Sequence, residues 1–201
     1  MDPVVNRQFI LKSRPVGLPT PEEVPMVESP VPEAVDGEIV IRNLYISLEP
    51  AIRGWMSDEP KYIEPIPVGN PVWATGIGRV VQSRSPDFEV GDIALGMNAW
   101  EDYTLCPAEA ANKVDPMGMP LTTFLSILGA TGLTAYFGLL DVGQPKAGET
   151  LLVSGAAGAV GSIVGQIGKL QGCRVIGIAG GEEKCRWVVD ECGFDDVIDY
   201  K

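Results

Sequence analysis

The chain has 201 residues, of which 45% are hydrophobic and 21% charged, and its formal net charge is −12. This composition is typical of a globular protein with a hydrophobic core. The acidic balance argues against general nucleic-acid binding, and no apolar run is long enough to span a bilayer. The chain has no histidine, which excludes a Ser-His-Asp triad or His-ligated zinc built from these residues.

The cysteines give no sign of a redox or metal site. The four cysteines are scattered and form no C-x-x-C pair, which argues against a zinc ribbon or a thioredoxin-type site. Scattered thiols are typical of a reducing cytoplasm. The N-terminus shows no basic segment followed by an apolar core, so we expect a cytoplasmic protein without a secretory signal.

The first part of the chain predicts short strands between turns. Residues 15–36 are rich in proline and acid and predict an extended surface segment, and residues 55–71 predict a loop. The strand candidates are residues 39–45, 76–81, 93–96 and 101–105. Short strands with frequent turns indicate a small β-barrel or sandwich.

The character of the sequence changes near Pro120. Residues 121–140 are apolar and predict a helix interrupted near Gly129. We therefore expect a domain boundary within a few residues of Leu121.

The most informative stretch runs from Gly155 to Gly161. An apolar strand at residues 150–153 precedes it, and a helix at residues 163–170 follows. Gly155 permits a sharp turn, Gly158 lets the backbone approach a pyrophosphate, and Gly161 lets the helix lie close to the strand. The spacing is G-x-x-G-x-x-G rather than G-x-G-x-x-G, so a tight strand-to-helix connection without a ligand is the alternative.

Strands and helices alternate after this turn. A strand at residues 173–179, a polar helix at 182–192 and a strand at 196–200 are predicted, as a parallel sheet requires. The three glycines Gly161, Gly165 and Gly168 fall on one helical face, which suits a helix pressed against a sheet.

Several segments together resemble one known group. They are residues 47–56, 76–81, 131–138, 155–166, 183–187 and 193–201. As a set they resemble the medium-chain dehydrogenase/reductase superfamily, in its zinc-independent prostaglandin reductase (leukotriene hydroxydehydrogenase) branch, of the bacterial NADP-dependent oxidoreductase type.

The resemblance implies an α/β fold. A GroES-like β-barrel domain at residues 1–120 would be followed at residues 121–201 by the first half of a Rossmann, or doubly wound, NADP-binding domain. Family members continue beyond the third strand of that sheet and form homodimers. The resemblance therefore implies that this chain is the N-terminal part of such an enzyme, and that the isolated chain is inactive.

The resemblance also implies an activity, the NADPH-dependent reduction of the carbon–carbon double bond of α,β-unsaturated ketones or aldehydes without a metal. Hydride reaches the β-carbon, and a proton reaches the α-carbon or the enolate oxygen. The segment Leu48-Glu49-Pro50 lacks the cysteine ligand of zinc alcohol dehydrogenases. The catalytic residue is not assigned, and Ala51 replaces a tyrosine of mammalian members. Quinone reduction and a non-catalytic nucleotide-binding fragment are the alternatives.

The end of the second strand bears on cofactor choice. The residues there are Ala179, Gly180 and Gly181, which place no carboxylate where it would repel a 2′-phosphate. The resemblance implies that Lys184 and Tyr200 contact that phosphate, and Arg186 is a further candidate. Alternatively, Lys184 is a solvated helix residue, or Glu182 or Glu183 binds the ribose of NAD.

The remaining candidates have less specific roles. Gly158, Ala159, Val160 and Gly161 are expected to hold the pyrophosphate. The resemblance implies that Thr131 lies near the nicotinamide, although its hydroxyl also suits an ordinary helix-end hydrogen bond. Trp55, Met56 and Tyr62 either line an apolar substrate pocket or pack in a core, and Arg53 either holds a local turn or reaches the cofactor.

Overall fold

The computed structural model describes residues 4–59 and 63–201. The chain divides into two compact units, Met1–Leu125 and Ser126–Lys201. Among the helices of the described residues, none combines the length and the apolar character that a membrane span requires.

The first unit is a β domain. Its strands are β1 (Val5–Phe9), β2 (Met26–Pro30), β3 (Glu38–Ile46), β4 (Trp73–Ser83), β5 (Ile93–Ala99), β6 (Tyr103–Pro107) and β7 (Ala111–Val114). An antiparallel sheet has the order β6-β3-β4-β5-β7, and β1 pairs with β2 separately. Because successive side chains of a strand alternate between faces, Ile39 and Ile41 of β3 share one face, where they pack in a core with Val80.

A short helix, α1 (Pro50–Trp55), follows β3. Proline suits its first turn, where a backbone N–H would lack a helical partner. Ile52 and Trp55 are buried in a second core with Leu11 and Ile66. The sequence does not predict this helix, because six residues are too few to show a helical period.

The second unit alternates helices and strands. Its elements are α2 (Ala130–Phe137), a π-helical continuation (Gly138–Gly143), β8 (Thr150–Ser154), α3 (Ala159–Leu170), β9 (Arg174–Ala179), α4 (Glu182–Asp190) and β10 (Asp196–Asp199). The three strands are parallel, in the order β10-β9-β8. This arrangement confirms the predicted fold class, an N-terminal β domain followed by part of a doubly wound sheet.

The glycines of α3 lie against the sheet, as predicted. Gly161, Gly165 and Gly168 are all buried. A Cβ at Gly165 would overlap the ring of Phe194, and one at Gly168 would lie 2.6 Å from Cδ2 of Leu151. Only a helix face without side chains can approach the neighbouring residues this closely.

Two expectations differ from the structure in their bounds. Helix α3 begins at Ala159 rather than at residue 163, because its N-cap is Gly158, which lacks the side chain that signals a helix start. The stretch 15–36, expected as an extended surface segment with no strand assigned, contains β2, a largely exposed strand that pairs with β1.

Candidate dinucleotide-binding site

The glycine turn after β8 is folded tightly. Gly155 has a φ of +57°, a left-handed conformation that favours glycine. The Gly158 N–H donates to the Gly155 carbonyl at 2.8 Å, which closes the turn. Ala156 is fully buried, and its N–H donates to the Ile178 carbonyl of β9 at 3.0 Å. The turn is therefore fixed both internally and to the neighbouring strand.

Two glycines at the start of α3 lie close to the carbonyl oxygen of Gly155. A Cβ at Gly158 would lie 3.0 Å from the Gly155 carbonyl oxygen, and a Cβ at Gly161 would overlap the same oxygen. The first turn of α3 is thus pressed onto the glycine turn. Because Gly158 is exposed and carries no side chain, a ligand can reach the backbone there.

The N-terminus of α3 has no side-chain cap among the described residues. The first N–H groups of a helix lack intrahelical partners, and the helix dipole adds a partial positive charge at this end. The N–H groups of Ala159, Val160 and Gly161 occupy these positions. A glycine groove of about 420 Å³ lies here, lined by Leu152, Val153, Ser154, Gly155, Gly158, Val160, Gly161 and Val164. Such an end fits a phosphate group.

The next turn, between β9 and α4, lies at the same edge of the sheet, because β8 and β9 are parallel. Gly181 has a φ of +95°, and its N–H donates to Oδ1 of Asp199 at 2.9 Å. The Tyr200 N–H donates to the Ala179 carbonyl at 3.1 Å. The Tyr200 ring lies against Gly180, where a Cβ would be 2.6 Å from Cζ.

The charged side chains of α4 differ in their surroundings. Lys184 is exposed in the first turn of this helix, where a cation meets the positive end of the helix dipole. Arg186 pairs with Glu182 at 2.6 Å. Glu182 and Glu183, the two acidic candidates for a ribose, are both exposed, and the side chain of Lys184 has no ion-pair partner among the described residues.

The structure brings together most of the predicted cofactor residues at one edge of the sheet. Gly158–Gly161 form the N-cap and the first turn of α3, while Lys184 and Tyr200 follow the neighbouring strands β9 and β10. Thr131 is half-buried in the first turn of α2, which packs against α3.

The apolar candidates of the first unit are core residues. Trp55 is 5% exposed and Met56 is 1% exposed, and both pack in the core around Ile52. Tyr62 lies outside the described residues. Arg53 donates to the carbonyls of Gly17 at 2.7 Å and Pro15 at 2.8 Å, so it holds a distant segment of the first unit and not a turn of its own.

Sequence reasoning assigned no role to Asp199. Its Oδ1 accepts hydrogen bonds from Gly181 and from Lys201, at 2.9 and 3.0 Å. These two backbone bonds, with the nearby charge of Lys201, hold the pKa of Asp199 below its ordinary value. A carboxylate at the end of the third strand was the available signal, but its partner Gly181, in the turn that follows β9, becomes evident only once the strands pair.

A family of N-terminal domains of oxidoreductases matches residues 7–114. The NADPH-dependent curcumin reductase of Escherichia coli is 46% identical over 195 residues, which are 97% of this chain and 56% of that protein. The NADP-dependent 2-alkenal reductase of Nicotiana tabacum is 38% identical over 98% of this chain and 59% of its own length. The crystal structure of CurA from Vibrio vulnificus with NADPH has 46% identity and a TM-score of 0.90, over 97% of this chain and 58% of that one.

Proposed function

This chain belongs to the medium-chain dehydrogenase/reductase family, and from that membership we propose that it is part of an NADPH-dependent enone or enal reductase. The chain spans between 56% and 59% of the length of the relatives described above. The observation that carries the proposal is the glycine groove at the uncapped N-terminus of α3, where Gly161 lies on the carbonyl of Gly155.

The groove fits the pyrophosphate of a dinucleotide. The N–H groups of Ala159, Val160 and Gly161 supply donors, and the helix end supplies partial positive charge. Gly158 leaves room for close approach, since any side chain there would stand between the ligand and the turn. These four residues would hold the pyrophosphate.

The neighbouring turn favours a 2′-phosphate over a bare ribose. Gly180 and Gly181 follow β9 where NAD-binding proteins commonly carry an acid. Lys184 supplies a positive charge, and Tyr200 supplies a ring and a hydroxyl beside Gly180. Glu182 forms only an exposed ion pair with Arg186, and Glu183 is exposed, so a ribose bound by one of these acids, as in NAD, stays the alternative.

NADPH would supply the hydride that reduces the substrate double bond. The chain's own residues would bind and orient the cofactor. The second unit would hold its phosphates, and Thr131, on α2 beside α3, would lie near its nicotinamide. We assign substrate binding to the first unit, for which the sequence predicts the bounds 1–120. No zinc is required in this proposal, which is supported by the absence of histidine from the chain.

The protein is proposed to be cytoplasmic and, at full length, a homodimer. Free thiols support the location: Cys173, Cys185 and Cys192 are buried, and Cys106 is half-buried. Light scattering of the full-length protein tests the dimer, and a monomer at micromolar concentration would contradict it.

Binding and turnover test the function separately. The 201-residue chain is titrated with NADPH and with NADH, following nicotinamide fluorescence, and tighter NADPH binding is expected. Turnover is then measured with simple enones, enals and quinones after adding the C-terminal part of the E. coli relative. Oxidation of NADPH by enones supports the reductase, and oxidation by quinones alone supports the quinone alternative.

A second candidate is a non-catalytic NADPH-binding protein. It is favoured because the groups assigned to the cofactor all lie in the second unit. NADPH binding without turnover in any of these mixtures would support it and would contradict the reductase.

A further inference from the structure

The turn between β9 and α4 depends on a side chain from outside it. Gly181 is the N-cap of α4, and no side chain of the described residues caps this helix. The Gly181 N–H is instead bound by Oδ1 of Asp199, at the end of β10. The Cys185 N–H donates to the Gly181 carbonyl at 3.1 Å, so the first turn of α4 starts from this anchored residue.

The chain that leaves β10 is tied to the same turn. Oδ1 of Asp199 also accepts the Lys201 N–H at 3.0 Å, and between them the Tyr200 N–H donates to Ala179. These bonds set where the Tyr200 ring lies across Gly180. The ring itself is 68% exposed, so few other contacts fix it.

Attraction to an anion does not explain a carboxylate at this place. Backbone hydrogen bonds from Gly181 and Lys201 lower the pKa of Asp199, so it is charged at neutral pH. A negative charge would oppose a nearby phosphate. Its favourable contribution must therefore come from the geometry that its oxygen imposes on the turn.

On the premise that the site binds NADPH, we propose that Asp199 is a positioning residue for the 2′-phosphate. Its Oδ1 holds Gly181 and the segment around Tyr200 in the arrangement that places Tyr200, and α4 with Lys184, for phosphate binding. The role belongs to the position of the acceptor oxygen and not to the charge.

Matched variants of the 201-residue chain separate position from charge. Asp199→Asn keeps an acceptor oxygen at the same place and removes the charge, whereas Asp199→Glu keeps the charge and moves the oxygen by one methylene. Asp199→Ala removes both. Asp196→Ala is the control, because the exposed Asp196 side chain accepts a hydrogen bond from the adjacent Val197 N–H and has no other hydrogen-bond or ion-pair partner in residues 4–59 and 63–201.

Calorimetric titration with 2′,5′-ADP and with 5′-ADP measures the preference for the 2′-phosphate. Asp199→Ala and Asp199→Glu should reduce the wild-type preference by roughly tenfold, the effect of one hydrogen bond to a charged group. Asp199→Asn and Asp196→Ala should keep it within about threefold, a difference of less than 1 kcal/mol. A cooperative thermal transition confirms that each variant is folded.

The outcomes distinguish this role from the cofactor proposal. Equal wild-type affinity for the two nucleotides would overturn both. A wild-type preference that survives in Asp199→Glu, or is lost in Asp199→Asn, would overturn the positioning role alone. If Asp199→Ala does not fold, the comparison of Asp199→Asn with Asp199→Glu still decides.

Discussion

Gly161 lies directly against the carbonyl oxygen of Gly155, so that a Cβ at residue 161 would overlap that oxygen. The contact joins the first turn of α3 to the turn that follows β8. The overlap cannot be relieved by moving a side chain, because the atoms in contact belong to the backbone. Further hydrogen bonds hold both backbone segments in place. The glycine groove therefore depends on the absence of a single methyl group.

Gly161→Ala is expected to destabilise the chain and weaken NADPH binding. The added methyl group must push α3 away from Gly155, at a cost of about 1–3 kcal/mol. Chemical unfolding and NADPH titration measure the two effects. Gly138→Ala is the matched control, because Gly138 has a φ of −60° and a Cβ there meets nothing within 4 Å. It should leave stability unchanged or raise it by about 0.4–1 kcal/mol, and an equal loss in both variants would contradict the argument.

Lys184→Ala is expected to weaken NADPH binding by roughly tenfold or more, the effect of losing a charge-assisted hydrogen bond. NADH lacks the 2′-phosphate, so its affinity should change little. Titration of both cofactors gives the ratio. Lys146→Ala removes another exposed lysine, which precedes β8 at the opposite edge of the sheet. Equal losses of NADPH and NADH affinity in Lys184→Ala would contradict the assignment of this lysine to the 2′-phosphate.

Phe194→Ala should destabilise the chain by about 3–5 kcal/mol, because the 3% exposed ring fills the space between α3 and β9. A Cβ at Gly165 would overlap this ring, so Gly165→Ala alone is also destabilising. In the double variant the alanine methyl fills part of the vacated space. A double-mutant cycle of unfolding free energies should therefore show a loss smaller than the sum of the single losses. Additive losses would contradict the packing described.

Asp195 predicts a dependence of stability on acid. The Lys169 ammonium, bound at 2.6 Å, and the Val175 N–H hold the pKa of Asp195 below its ordinary value of 3.8. The stabilisation is complete above that ordinary value and is lost as the pH falls through the lower native pKa. The free energy of unfolding should therefore decrease as the pH is lowered from neutral to values below 3.8. Asp195→Asn should flatten this dependence, and an unchanged slope would exclude Asp195 as a source.

Sequence patterns predicted several strands and helices of the second unit, because their signals are local. The strand predicted at residues 150–153 is β8, Thr150–Ser154, and the helix predicted to begin at Glu182 is α4. Hydrophobic runs and glycine positions depend on neighbours in the chain, which the sequence displays directly.

Two of the features that sequence reasoning missed depend on distant partners. Strand β2 lies in a proline-rich stretch and forms because β1 offers it backbone hydrogen bonds. The anchoring of Gly181 by Asp199 requires β9 and β10 to pair in one register. A carboxylate whose partners are backbone N–H groups leaves no recognisable motif, so neither relation is visible before the chain folds.

The contact between Tyr200 and Gly180 links two positions that are far apart in the chain. The phenol ring occupies the volume that a side chain at residue 180 would need. In an alignment of related sequences, residues larger than glycine at position 180 should accordingly occur together with smaller residues at position 200. Such paired substitution would show that the two positions share one volume.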